Sequence, residues 1–225
     1  MSTPRIYQTF GDLPLDAYLD VTSWRCGPFL REHFLSLDAI QIAMVFFLGK
    51  KFDSNIKTDM IHIGRLGVNV RVPTFSMLRY VIKKQQKPDV RLMLTLSQNG
   101  TAHVPGVIER IETNMMSYKS LFENSIITQF IFFFETFYDF MKGKALHFPK
   151  DLEPRWGFAR VVRNALTHGG RINLDDKTLP PVSWRDISYD WNNSGDTIIG
   201  NKLDAPDLIC LILDLDLALI SLGHP

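Results

Sequence analysis

Two cysteines in 225 residues are too few for a disulfide framework, and Cys26 and Cys210 lie far apart in the chain. Neither belongs to a CxxC pair, and no Cys/His cluster has metal-ligand spacing, so reduced thiols are expected and neither a zinc site nor a metal cofactor is implied. The net charge is only +1. No global basic field advertises nucleic acid, and a polyanion would have to be gripped by a local patch. Met1–Phe10 lacks an apolar signal core. The most apolar window, Ile126–Phe134, is too short to span a bilayer and is broken or bounded by Gln129 and Glu135. The expectation is a cytoplasmic protein that does not enter the membrane. Repeats, low-complexity tracts and charge runs are also missing. Gly49-Lys50 lacks the rest of a phosphate loop.

What is present is core-forming material: 45% hydrophobic residues, with 16 phenylalanines. From Pro28, a residue suited to a first helical turn, Leu30, Phe34, Leu37, Ile40, Met44, Phe47 and Leu48 recur at three- and four-residue steps to Gly49. Residues 51–73 alternate (Ile61/Ile63, Val68/Val70/Val72) around Gly64 and Gly67, which suits short strands or a hairpin. Phe75–Lys84 reads as a short helix. Val90–Leu96 alternates like an edge strand closed by Asn99-Gly100. Pro105–Ser120 and Leu121–Lys142 read as helices, separate or joined into one. The Phe-rich part is apolar nearly all round, which predicts burial on more than one side, either in a core or at a dimer interface. A helix from about Pro154 to His168 stops at Gly169-Gly170. Val182–Ile199 reads as a β-hairpin turning at Asn192–Gly195. The last helix is expected from an Asp204 N-cap, with Pro206 in its first turn, to Gly223. The fold class is therefore mainly α, a helical bundle with a small hairpin after the 154–168 helix and short strands in the N-terminal half. Residues 1–100 are expected to be an extension packed on a helical domain of residues 101–225.

The 154–168 helix carries the chemistry. Phe158, Val161, Val162 and Ala165 make its apolar face. Arg160, Asn164 and His168 stand at i, i+4 and i+8 on the opposite face. Arg163 lies about 140° from His168 round the helix, yet a long guanidinium can swing toward the imidazole end.

Arg163-Asn164-x3-His168-Gly-Gly at the end of an amphipathic helix resembles the R-x4-6-H motif of the HEPN superfamily, with Asn164 as the polar residue after the arginine. The resemblance covers about Pro105–Gly223. It implies a bundle that dimerises with its motif helices facing, and in many members a metal-independent ribonuclease, often a toxin or defence effector with an antitoxin partner. The residue types suit that chemistry. His168 carries an imidazole, which can both accept and donate a proton and so suits a general acid or base. Arg163 can grip two phosphate oxygens. Asn164 can hold a phosphate oxygen or orient the imidazole. Arg160 fits either an added phosphate contact or a surface salt bridge. Glu135 fits either a pairing with Arg163 or Arg160, which it would orient, or a solvent-edge carboxylate.

Two other readings stand beside the ribonuclease: a non-catalytic HEPN module that binds RNA, a nucleotide or a protein, and a helical scaffold whose motif merely caps a helix. The near-neutral charge favours these two, and the intact Arg-Asn-His set favours the enzyme. Asp214 and Asp216 lie roughly 200° apart on their helix and cannot form one acidic site, so at least one is expected to meet an arginine. Trp184, Tyr189 and Trp191 fit either hairpin packing or base stacking. His33, His62, His103, His147 and His224 share no ligand spacing.

Overall fold

A computed structural model describes residues 18–20, 23–33, 36, 59–63, 69–73, 93–97, 116–145, 147, 150–205 and 207–224. The expected helix at Phe75–Lys84, the Pro105–Met115 segment, the Phe34–Gly49 continuation save for Ser36, and the Asn99-Gly100 turn lie outside these residues. The described part is mainly helical. The chain divides into two compact units, one of Leu15–Gln129 and another that includes Phe130–Pro225. The division falls between Gln129 and Phe130.

In the first unit, β1 (Tyr18–Asp20), β2 (Asp59–Ile63), β3 (Asn69–Pro73) and β4 (Met93–Ser97) form an antiparallel sheet of order β1-β4-β3-β2. The expected alternating strands are β2 and β3, paired with Met60 opposite Val72 and His62 opposite Val70. Strand β4 corrects the edge-strand expectation, because β1 pairs with one side of it and β3 with the other. Alternation reports the faces of a strand and says nothing about how many neighbours its edges have. Residues 27–33 form a helix, α1, that buries Leu30 and His33. His33 is a core histidine whose Nδ1 lies 3.0 Å from Ser125 Oγ.

Helix α2 (Met116–Lys144) joins the two expected helical segments from Met116 onward. Ile126, Phe130, Phe133, Phe134 and Met141 are buried at three-, four- and seven-residue steps, a single stripe. Phe132 is 57% exposed, so within one chain the Phe-rich segment is covered on one side rather than all round. In the second unit Phe133 and Phe134 pack on Trp156, with ring centroids 6.3 and 5.3 Å apart.

Trp156 belongs to α3 (Pro154–Thr167), the expected helix. Proline opens it, and Glu153 caps it by accepting from the Trp156 N–H at 3.1 Å. Its buried face is Trp156, Phe158, Ala159, Val161, Val162 and Ala165. His168 is its C-cap. Gly169 and Gly170 follow at φ 80° and 77°, and the Gly170 N–H returns to the Ala165 carbonyl at 2.7 Å. That left-handed exit is why the sequence needs glycine there.

The hairpin after α3 is shorter than expected and turns earlier: β5 (Val182–Trp184) pairs with β6 (Ile187–Tyr189) across Arg185-Asp186. Asn192-Asn193 instead lie in a 3-10 turn, Trp191–Asn193, which Asp190 caps with a reciprocal Asn193 contact. Asx capping competes for the same residues that favour a hairpin turn, and here it wins. Phe158 stacks on Tyr189 at 5.3 Å and lies 5.7 Å from Trp184, so two of the three candidate stacking aromatics are packing residues. Helix α4 (Asp207–Ser221) starts three residues after Asp204, and Asp207 through Asp216 are all buried. Asp214 meets the expected arginine: its Oδ2 accepts from Arg185 Nη2 at 3.1 Å and from Trp184 Nε1 at 2.9 Å.

Candidate functional site

The polar face of α3 meets one edge of α2. Glu135 and Tyr138 lie three residues apart on α2 and so share a face. Arg163 pairs with the Glu135 carboxylate through Nη2 and donates from Nη1 to Asn164 Oδ1 at 3.0 Å. The Arg160 guanidinium acts electrostatically on the Tyr138 hydroxyl. Burial pushes the Tyr138 phenol above its usual range, and the Arg160 and Arg163 charges oppose that rise. Glu135, Tyr138, Arg160, Arg163 and Asn164 thus form one polar cluster, in which the carboxylate pairs with Arg163 and the phenol feels the charges of both arginines.

The helix end is built to a different rule. Thr167 Oγ1 donates to the carbonyls of Arg163 and Asn164, both at 3.1 Å. This ties the last turn. The His168 backbone N–H caps Asn164 at 3.1 Å, and the side chain is exposed. Of the sequence candidates, Arg163, Asn164 and Glu135 are drawn together. Arg160 stands one turn upstream with Tyr138, and the imidazole of His168 faces solvent at the helix end. Tyr138 escaped the sequence reading, although its spacing from Glu135 carries the signal. Among the described residues no group of three His, Cys, Asp or Glu is arranged to hold a metal.

Arg160 also borders a cleft of about 150 Å³ between the first turns of α3 and the 174–191 segment. Lys150 and Trp191 line it with Arg160. Trp191, the third candidate aromatic, is 45% exposed, and Lys177 Nζ lies 4.5 Å from its ring centroid.

Among the described residues no helix is long and apolar enough to cross a membrane. Comparison with protein-family models, with curated proteins and with solved structures gave no match.

Proposed function

We propose that the chain is a HEPN-type endoribonuclease that needs no metal, with Arg163, Asn164 and His168 acting on an RNA phosphodiester. The observation that carries the reading is the Glu135-Arg163-Asn164 set one turn before an exposed histidine that ends the same helix. In this reaction the RNA 2′-hydroxyl gives up its proton to a base and attacks the adjacent phosphorus. The 5′-oxygen leaves with a proton from an acid, giving a 2′,3′-cyclic phosphate and a 5′-hydroxyl. His168 supplies one proton-transfer role, and the same residue of a second copy supplies the other across a dimer cleft. Arg163 neutralises charge at the phosphorane, and Glu135 and Asn164 limit the directions its fork can take. A role as a toxin or defence effector, paired with an antitoxin, belongs to the same reading.

A second reading is favoured by one feature. The Arg163 charge is already paired with Glu135 within the chain, so a phosphate must compete for it. A module that binds RNA or a nucleotide without cleaving it tolerates that competition better than an enzyme does. Incubating the protein with single-stranded RNA in EDTA, beside Arg163→Ala and His168→Ala of matched stability, separates the two. Cleavage abolished by both substitutions supports the enzyme. RNA retention without cleavage by the unaltered chain supports the module.

A further inference from the structure

The cleft beside Arg160 has the makings of a subsite. One wall is the start of α3, with Pro154, Gly157 and Arg160. The opposite wall is the 174–183 segment. Its backbone is fixed by Leu174 N–H to Ser194 Oγ at 3.3 Å, by Thr178 N–H to Asp176 Oδ1 at 2.8 Å, and by the restricted pair Pro180-Pro181. A wall tied in this way is preformed, as ligand sites usually are. At its rim stands Trp191, and Lys177 over its ring shows that the π-face accepts a cation. The carboxylates of Asp176 and Asp190 also line the cleft, each held by hydrogen bonds of its own turn. They disfavour a phosphate deep inside and favour a group that carries N–H donors. The cations Lys150 and Arg160 border the same space.

We propose that this cleft takes one nucleobase of single-stranded RNA, stacked on Trp191, with the adjoining backbone phosphate directed to Arg160. The proposal rests on the RNA-directed reading above and names its substrate as unpaired RNA. The apolar lining of Leu152, Leu174, Leu179 and Val182 suits a base, an exposed indole suits stacking, and fixed carboxylates suit the exocyclic amino groups of adenine, cytosine or guanine, which uracil lacks. Along α3, Arg160 precedes Asn164 by about 6 Å and His168 by about 12 Å. A base in the cleft therefore lies a nucleotide or two from the reacting phosphate, the distance at which flanking-base selection operates.

The test uses fluorescein-labelled eight-nucleotide homopolymers of A, C and U, titrated by anisotropy into the full chain carrying His168→Ala to suppress turnover. Trp191 is exposed, so Trp191→Ala spares the core. Oligo-A and oligo-C are expected to bind more tightly than oligo-U. Trp191→Ala is expected to weaken oligo-A by about tenfold, Trp191→Phe by less, and Arg160→Gln to lower the salt slope by about one charge. Equal affinity of Trp191→Ala and its parent would overturn the subsite, as would no binding of any oligonucleotide. Cleavage by the chain with native His168, persisting beside an inert Trp191→Ala, would leave the ribonuclease reading standing while the subsite falls. Trp191-dependent binding without cleavage would do the reverse.

Discussion

Glu135 and Arg163 form a partly exposed pair, with side chains 43% and 30% accessible. At that exposure an ion pair contributes little to folding, so Glu135→Gln is expected to change stability by less than about 1 kcal/mol in a urea titration. Its effect on RNA is expected to be larger. Removing the carboxylate leaves Arg163 with an uncompensated charge, which tightens RNA binding severalfold and steepens its salt dependence by about one phosphate contact. It also frees the guanidinium to rotate, and turnover is expected to fall about tenfold. Weaker binding in Glu135→Gln would show that the carboxylate does not compete with phosphate. The sequence left two readings of Glu135 open, an arginine partner on α3 or a solvent-edge carboxylate, and at 43% exposure the paired side chain has features of both. The choice between Arg160 and Arg163 was not legible. It depends on the rotation of α2 against α3, which the packing of Phe133 and Phe134 on Trp156 determines.

At the scale of elements, helices were easier to read than turns. The 3.6-residue period, Pro154 and the Gly-Gly stop bounded α3 to within a residue, because each marks a physical requirement at a helix end. The hairpin turn was misplaced because Arg185-Asp186 carries no glycine or asparagine signal. Arg185 nonetheless adopts φ 52°, a conformation that L side chains rarely enter. A contact remote in sequence holds it there: Asp214 on α4 accepts from Arg185 Nε at 3.3 Å and Nη2 at 3.1 Å. Asp214 therefore ties the hairpin to α4, and Asp214→Ala is expected to cost about 3 kcal/mol. That substitution leaves a largely buried guanidinium and the Trp184 N–H without their acceptor. Both donors share Asp214 Oδ2, so Asp214→Asn keeps an acceptor oxygen, loses only the charge and should cost less. A loss below about 1 kcal/mol for Asp214→Ala in chemical denaturation would remove Asp214 from this role. Gly170→Ala tests the other end of the site. Nothing crowds a Cβ there, yet φ is 77°, so about 1 kcal/mol of backbone strain is expected with no steric clash. A thermal melt unchanged by that substitution would show that the helix exit does not need glycine.

For the molecule as a whole, alkaline pH is the condition that most directly probes how well the α3–hairpin–α4 core excludes charge. Burial pushes the Tyr189 phenol up to about 12, and the carboxylates of Asp196 and Asp207 push the same way. Burial likewise pushes the Cys210 thiol up to about 12. Below about pH 8 both groups keep their protons whether the chain is folded or not, so neither makes stability pH-dependent there. As pH rises, the unfolded chain releases its thiol proton near 9 and its phenol proton near 10, while the folded chain retains both until about 12. The unfolded chain then holds fewer protons than the folded one, so unfolding releases protons and stability falls with rising pH across that window. Tyr189→Phe removes the phenol from this balance. The hydroxyl is buried without a hydrogen-bond partner among the described residues, so the substitution also removes an uncompensated polar group. The variant is expected to be about 1 kcal/mol more stable at pH 7.5. Its urea midpoint should also decline less steeply than that of the parent between pH 9.5 and 11. Parallel declines in the two proteins would mean that Tyr189 ionises as readily folded as unfolded, and hence that water reaches the interface between the hairpin and α3.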